Sequence, residues 1–462
     1  MIEFDARLGP PSVASEAVRS RSPWWAFLFL FIIFAFASPY ELGYTVDDHD
    51  LDQAVESTAE GTPGRQLALP LLGAFGLCSI LINRRHRLSI NGWPGLTFAA
   101  FLTVVFLSLF WAEEISVTAK KLSVFGLVLV GALGFAVRFT LRELVVFSAF
   151  MGYGAIALAL GTELAQGTFG QAPAYSAYQF AGIMHPNSMG TYCAIAGLAS
   201  LTLAHLEPAR RKRYLLLAGV GFGFLLLTKS RTSFGCTATV LLVYWLLTTD
   251  FKHKFFTLLG LGILACALGF FFSEDLSARL TSLFLLGREG EDNAGSLSNR
   301  LPLWQDLLGY IFRHPWLGYG FDSFWTPAHV YAISKRQGWE VPHSHNGYLE
   351  ITLGLGLLGL VAYLAMLAAH LKTSFTSWLV LRDPCGLYGL MMILWMCLAM
   401  TTEKVYMSPI FPTFICNLLI ARAAIVNTGE ANLSIKSLTF QPAGPPTLRQ
   451  PEEHSWNYRE NR

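Results

Sequence analysis

His345 and Asn346, followed further along by Gly356-Leu357-Leu358-Gly359, place an imidazole at the entry to a long apolar stretch. An imidazole with an ordinary pKa near 6.5 is largely neutral at pH 7 and can take a proton from an attacking hydroxyl. Gly356 and Gly359 lie eleven and fourteen positions beyond it. On a continuous helix both return to within about 40° of its direction, on a stripe with Leu349 and Thr352. Two glycines there would let a neighbouring backbone approach closely and brace the turn that carries the ring.

Two arginines supply a second kind of chemistry. Guanidinium stays charged beside lipid and grips phosphate oxygens in a planar fork. Arg231 lies in Lys229-Ser230-Arg231-Thr232, a turn between two apolar stretches, and Arg300 lies in a polar insertion. There Leu297, Leu301, Trp304, Leu307, Leu308 and Ile311 recur at steps of three or four, with Ser298, Asn299, Gln305 and Asp306 opposite. That spacing predicts an amphipathic helix, limited by Pro315, with Arg300 at the edge of its apolar face near the headgroup plane. Four further residues are candidates for substrate contact: His185, Asn187, Lys121 and Glu403. Each has a plainer reading. Asn187 would N-cap a helix behind Pro186, Lys121 would pair with Glu113 and Glu114 in a short loop, and Glu403 stands beside Lys404. Glu350, near the start of the His345 helix, reads as a buried partner. An aromatic run through Trp316, Tyr319, Phe324, Trp325, Tyr331 and Trp339 could stack on sugar faces or anchor an interface.

The elements that must position these groups are membrane helices. Of 462 residues 53% are hydrophobic and only 14% charged, with mean hydropathy +0.44, which excludes an ordinary soluble domain. Twelve apolar spans are expected, at 24–40, 67–82, 95–111, 122–139, 144–162, 188–205, 214–228, 233–249, 255–272, 347–369, 386–402 and 408–426. The first reads as retained rather than as a cleaved signal, because eleven more follow. Alternate loops carry the basic residues: Arg84, Arg85 and Arg87; Arg138 and Arg142; Arg210 to Arg213; Lys252 and Lys254. The segment 47–60 is acidic. The positive-inside rule then places both termini in the cytoplasm, and puts Lys121, His185, Asn187, Arg231, Arg300, His345 and Glu403 together on the outer side. The expected organisation is a cytoplasmic segment 1–22, spans 1–9 over 23–272, a long outer loop 273–345, spans 10–12 over 346–426, and a polar, Pro-rich cytoplasmic tail 427–462. The seven cysteines lie almost entirely within spans and suggest neither a disulfide framework nor a metal cluster.

His343 and His345 alternate as zinc ligands can, yet no cysteine or carboxylate cluster accompanies them in the loop. H-E-x-x-H, P-loop and G-x-S-x-G motifs are absent from the sequence. Four segments, in order, resemble the O-antigen ligase and O-antigen polymerase superfamily of bacterial envelope glycosyltransferases. They are Gly182-Ile183-Met184-His185-Pro186-Asn187-Ser188-Met189-Gly190; Ser230-Arg231-Thr232; Ser298-Asn299-Arg300 with Trp304 and Gly318-Tyr319-Gly320; and His343-Ser344-His345-Asn346 with Gly356 and Gly359. The resemblance covers roughly residues 100 to 425.

It implies an all-α polytopic membrane protein of about twelve helices, GT-C-like, with one long periplasmic loop containing the amphipathic helix. It also implies an inner-membrane enzyme with a periplasmic site that passes a glycan from undecaprenyl diphosphate to an acceptor hydroxyl, without nucleotide sugar, cofactor or metal. His345 matches the family's catalytic histidine, and Arg231 and Arg300 match arginines that engage the diphosphate. The acceptor would be lipid A core in a ligase or a growing glycan in a polymerase; the His-Asn, nine-residue, Gly-x-x-Gly pattern is associated with the ligase branch. Membrane lipid is the expected surround, and nucleic acid is not an expected partner. A transporter or flippase also fits twelve spans, but transporters gather binding groups near the midplane and within repeats, whereas these cluster at one mouth. A structural scaffold would leave the histidine and arginines dispensable.

Overall fold

The computed structural model describes residues 24–37, 63–82, 87–171, 178–257, 259–260, 300–404 and 410–427. The fold is all-α. Its helices are α1 (Trp24–Ala37), α2 (Pro63–Ile82), α3 (Gly92–Leu107), α4 (Ile115–Arg138), α5 (Leu141–Gln166), α6 (Pro186–Leu206), α7 (Arg211–Leu227), α8 (Arg231–Thr248), α9 (Arg300–Ile311), α10 (Pro327–Gln337), α11 (Gly347–Leu381), α12 (Pro384–Ala399) and α13 (Phe411–Ile425). A two-residue antiparallel pair, Arg87↔Asn427 and Leu88↔Val426, ties the entry to α3 to the end of α13.

Eleven of the twelve expected spans coincide with helices; the ninth, 255–272, lies mostly outside the described residues. Among the described residues six helices are long and apolar enough to cross a membrane: Gly64–Ile82, Gly92–Phe110, Ile115–Arg138, Leu141–Gln166, Pro186–Leu206 and Gly347–Leu381. Trp24–Phe36, Pro384–Ala399 and Phe411–Ile425 are shorter apolar helices. An expectation of about twelve crossings therefore leans on the shorter elements, including α7 and α8 of 17 and 18 residues. The segments 1–22 and 47–60, Arg84 and Arg85, residues 273–299 and nearly all of the tail lie outside the described residues.

Helix α13 runs through the centre, buried along almost its whole length, packed chiefly on α4 and α3, and α6 and α12 are likewise mostly buried. Phe411 and Phe414 on α13 meet Phe34, Phe135 and Phe147, the Phe34–Phe414 centroids being 5.1 Å apart. Such rings interlock by edge and tilted contacts. Around this centre, α2 packs on α4, α5 on α6, α6 on α7, and α11 on α3 and α12. The α2–α4 seam depends on missing side chains. A Cβ on Gly134 would stand 2.4 Å from the Gly76 Cα, so the two backbones touch. In lipid, where apolar burial does not drive helices together, this kind of close packing does.

Successive helices run in alternating directions, which sorts the polar groups into two ends. One end holds Arg142, paired with Glu207, and Arg422, whose guanidinium donates to the carbonyls of Ala136 and Phe139 at the end of α4. That satisfies carbonyls a helix C-terminus leaves open. The other end holds all the candidate site residues. Gly134→Leu is expected to force α2 and α4 apart, at about 1–3 kcal/mol. Thermal unfolding of the detergent-solubilised protein should show a clearly lowered midpoint, and an unchanged one would mean the seam is not close-packed.

Candidate active site

The site is built on a break in α11. Gly356 has φ +63° and ψ −166°, so the helix ladder opens there. Residues 315–320 fill the opening as a strap. Leu357 N donates to Pro315 O at 2.8 Å and Leu358 N to Trp316 O at 3.2 Å. Tyr319 N donates to Leu353 O at 2.8 Å and Gly320 N to Gly354 O at 2.9 Å. Two successive i→i−4 bonds, 357 to 353 and 358 to 354, are thus each replaced by a pair of bonds to the strap. The four backbone groups that these two bonds would have joined are all paired, as apolar surroundings require. A Cβ on Gly356 would lie 2.2 Å from the Trp316 carbonyl carbon, in a backbone conformation L-residues avoid.

This corrects the expected glycine stripe. Helical periodicity does not carry through Gly356, so Gly356 and Gly359 do not share one stripe with His345. Gly356 does admit a neighbouring backbone, but from the strap. Gly359 makes room for Leu355 of its own chain, whose Cβ would stand 2.1 Å from an added Cβ.

The strap delivers Asp322, with φ +51°, into a cluster of charges. Lys404 Nζ donates to Asp322 Oδ1 at 2.5 Å and lies 3.8 Å from Glu350 Oε2, while Lys121 Nζ lies 3.4 Å from Asp322 Oδ2. The Asp322 and Glu350 side chains are only 8% and 2% exposed, so their charges stand only because they are paired. Burial works to raise the Asp322 carboxyl, but Lys121 and Lys404 outweigh it and hold it below the usual carboxylate range. Burial likewise works against the Lys404 ammonium, and Asp322 and Glu350 reverse that and push it up. Lys121 was expected in a short loop, paired with Glu113 and Glu114. It lies instead within α4, which begins seven residues before the expected span, and it faces Asp322 across the bundle.

Glu350 passes this order on to the histidines. Its carboxylate accepts from Trp325 Nε1 at 3.0 and 2.9 Å and from Ser344 N at 2.7 Å. Trp304 Nε1 donates to Ser344 O at 2.9 Å, so both sides of the Ser344 residue are held. Asn346 caps α11 by accepting from Tyr348 N and Leu349 N, and its Nδ2 donates to Thr401 O. Between these clamps His345 takes φ +51°, its N–H donating to His343 Nδ1 at 3.2 Å. Both ring nitrogens of His345 are buried and without a hydrogen-bond partner. Burial first, then the nearby positive charge of Arg300 and of His185, lowers its pKa from 6.5 to about 4. The ring is therefore neutral at pH 7. His343 is pushed well below its ordinary value by burial, by His345, and by Lys404 and Arg300.

Arg300 and Glu403 form the opposite wall. Arg300 Nη1 donates to Thr402 O at 2.7 Å, and Nη2 to Glu403 Oε1 at 3.4 Å. Asn187 Nδ2 also donates to Glu403 Oε1, at 3.1 Å. Burial raises the Glu403 carboxyl against the opposing pull of Arg300 and Asn187. The N-cap of α6 is His185, not Asn187: its Nδ1 accepts from Asn187 N at 3.1 Å, which frees the Asn187 side chain for Glu403. Ser233 Oγ donates to Asn187 O, and Thr402 Oγ1 to Thr232 Oγ1 at 3.3 Å, which brings the start of α8, with Arg231 as its first residue, to the same place. The starts of α6, α8, α9 and α11 thus converge on residues 401–403, and helix N-termini carry partial positive charge.

Helix α9 forms close to where it was expected, but its face is rotated. Leu303, Leu307, Tyr310 and Ile311 are buried, whereas Leu301 and Leu308 are about two-fifths exposed. Leu297 to Asn299 lie outside the described residues. Arg300 turns toward Thr402 and Glu403 rather than along the edge of an apolar face. Sequence reasoning missed Asp322 and Lys404. The available signal was a charged residue directly abutting a conspicuous segment in each case, Asp322 after Gly318-Tyr319-Gly320-Phe321 and Lys404 after Glu403.

Residues 214–364 match the O-antigen ligase family, a stretch that includes Arg231, Arg300, the strap, His345 and the α11 break. The chain is 26% identical over 261 residues to a general O-oligosaccharyltransferase of Acinetobacter baylyi, covering 51% of this chain and 44% of that protein. It is 26% identical over 177 residues to an O-antigen ligase of Pseudomonas aeruginosa, covering 36% and 38%. The matched stretch spans less than half the length of either relative. Gly356→Ala should separate strap from helix, through the collision with Trp316 and the positive φ. Amide hydrogen exchange at Tyr319, Gly320, Leu357 and Leu358 should speed up together, and unchanged protection there would rule out the strap as the brace.

Proposed function

We propose, on the match of residues 214–364 to the O-antigen ligase family and the likeness to its relatives, that the protein transfers a glycan from undecaprenyl diphosphate to an acceptor hydroxyl at the periplasmic face of the inner membrane. The observation that carries this reading is His345: a neutral imidazole with both nitrogens unpartnered, beside Arg300, where four helices begin. Such a ring is a base whose lone pair is not engaged in a hydrogen bond. In the reaction the acceptor oxygen bonds to the anomeric carbon while the bond from that carbon to the diphosphate oxygen breaks. The acceptor proton passes to His345, and the electron pair leaves on undecaprenyl diphosphate. Attack opposite the leaving group inverts the anomeric centre.

Charge accumulates on the diphosphate as it leaves. Arg300 and Arg231, at the starts of α9 and α8, are the groups to receive it, aided by the helix ends. Fixed cations that neutralise the leaving group take the role a divalent ion fills elsewhere, so the transfer proceeds without metal. The anionic donor also offsets the positive charge that depresses His345, so the ring becomes a stronger base once the donor is bound. His185, Asn187 and Glu403 complete the donor side by holding Arg300, and Lys121 acts at a distance by pairing Asp322. A ligase reading, with lipid A core as acceptor, is preferred over a polymerase extending a growing glycan, on the strength of the matched family and the relatives' names. A transporter is disfavoured because these groups gather at one end of the helices.

His345→Ala in purified protein should abolish transfer from a defined undecaprenyl diphosphate oligosaccharide, with folding intact; retained transfer, with or without EDTA, would remove His345 as the base. A ladder from donor alone identifies a polymerase, and product only on addition of lipid A core a ligase. Lysine at position 300 or 231 should rescue donor use poorly, since it lacks the planar fork, and full recovery at both would remove the diphosphate role. The pH profile has a worked sign. Protonation of His345 removes the base, so kcat/KM, which reports the free enzyme, should hold as pH falls through 6.5 and drop with a midpoint near the ring's value of about 4. A midpoint at 6.5 would mean the ring is not buried as described.

A further inference from the structure

His345 has an aromatic neighbour as well as charged ones. Helix α10 ends at Gly338, in the left-handed conformation, and the chain turns there to lay Trp339 beside His345. The ring centroids are 5.6 Å apart. Trp339 packs against the small apolar core of α9 and α10, built on Leu303, Leu307 and Val341.

The indoles around this cap differ in one respect. Trp111 donates to Leu317 O, Trp304 to Ser344 O and Trp325 to Glu350. Trp339 Nε1 is buried and has no partner, like the two nitrogens of the histidine it touches. A buried N–H left unpaired is costly, and one such group in a well-bonded neighbourhood asks for an explanation. Here three unpaired nitrogens sit on two adjoining rings.

We propose that Trp339 and His345 together form the acceptor-sugar subsite. The Trp339 ring lies against the apolar face of a sugar, its Nε1–H donates to a sugar oxygen, and the neighbouring hydroxyl reaches His345 as the nucleophile. This rests on the glycosyl-transfer reading and names its acceptor side. The class of ligand follows from charge. A diphosphate is drawn to the Arg300 guanidinium, whereas the Trp339 ring belongs to an apolar cluster and suits a neutral, hydroxyl-rich ring. Residues 339–346, which carry both rings, form no helix, but Val341 N is held by Ser334 Oγ and Ser344 by Glu350 and Trp304, so the connection keeps the two rings together.

The test uses full-length protein in lipid nanodiscs and reads binding separately from turnover. Trp339→Phe keeps the ring and deletes the N–H. Equilibrium binding of three probes is measured: lipid A core, the free oligosaccharide released from the donor, and undecaprenyl diphosphate. Loss of one neutral hydrogen bond should weaken the better-binding of the two sugar probes roughly three- to tenfold, with undecaprenyl diphosphate unchanged. Unchanged sugar binding, equal weakening of all three probes, or failure of the wild-type protein to bind either sugar would overturn the proposal. Turnover with the donor is scored in parallel. Wild-type protein that binds sugar but never transfers it would fail the glycosyl-transfer reading, while the binding result still decides the subsite.

Discussion

Everything at the working end of this protein depends on a helix that is not allowed to finish its own hydrogen bonds. Leu353 and Gly354 would ordinarily accept from Leu357 and Leu358, yet all four backbone groups are satisfied by the strap. An interrupted ladder in an apolar setting is tolerated only when another backbone completes it. That requirement fixes the strap in register to within one residue. The register in turn places Asp322, two residues past Gly320, where Lys404 and Lys121 meet it. From Asp322 the order passes through Lys404 to Glu350, and from Glu350 to the turn that holds His345. A sequence of local geometric necessities thus ends at a single imidazole.

The electrostatics of the end are divided by function. Lys404, Asp322 and Glu350 are nearly closed to solvent and, with the more exposed Lys121, balance two positive against two negative charges, so they set geometry and leave little net field. Arg300 and Glu403 form a separate pair at 3.4 Å, 17% and 23% exposed. His345 stands between the two groups. It is kept neutral by burial and by the arginine, and both of its ring nitrogens are left without a hydrogen-bond partner.

Much of this was legible in the sequence because membranes impose simple rules. Alternation of basic loops predicted that Lys121, His185, Asn187, Arg231, Arg300, His345 and Glu403 share one end, and helix directions bring them there. What failed was inference along a single helix. The glycine stripe assumed an unbroken period, and nothing local in Gly356-Leu357-Leu358-Gly359 reveals that a segment some forty residues earlier is inserted into the ladder. The rotated face of α9 has the same cause: its burial is set by α10 and α11, so Leu301 and Leu308 point away although their spacing fits. Lys404 and Asp322, 82 positions apart, become partners only through the strap, and no periodicity couples them. The plainer reading of Asn187, a helix cap, rests on how well Asn caps helices, but His185 fills that place and the amide bonds Glu403 instead.

The strap also decides which parts of the molecule are stiff. Residues 315–322, the start of α11 and the 401–404 segment are joined by backbone bonds and paired charges, so they behave as one block. Across the boundary toward α6 and α8, the described side-chain bonds are few and neutral or loosely charged: Thr402 to Thr232, and Asn187 to Glu403. The firmest polar ties of the block therefore run within it, and the turn that carries His345 is anchored on that side, through Glu350 and Trp304 to Ser344 and through Asn346 to Thr401.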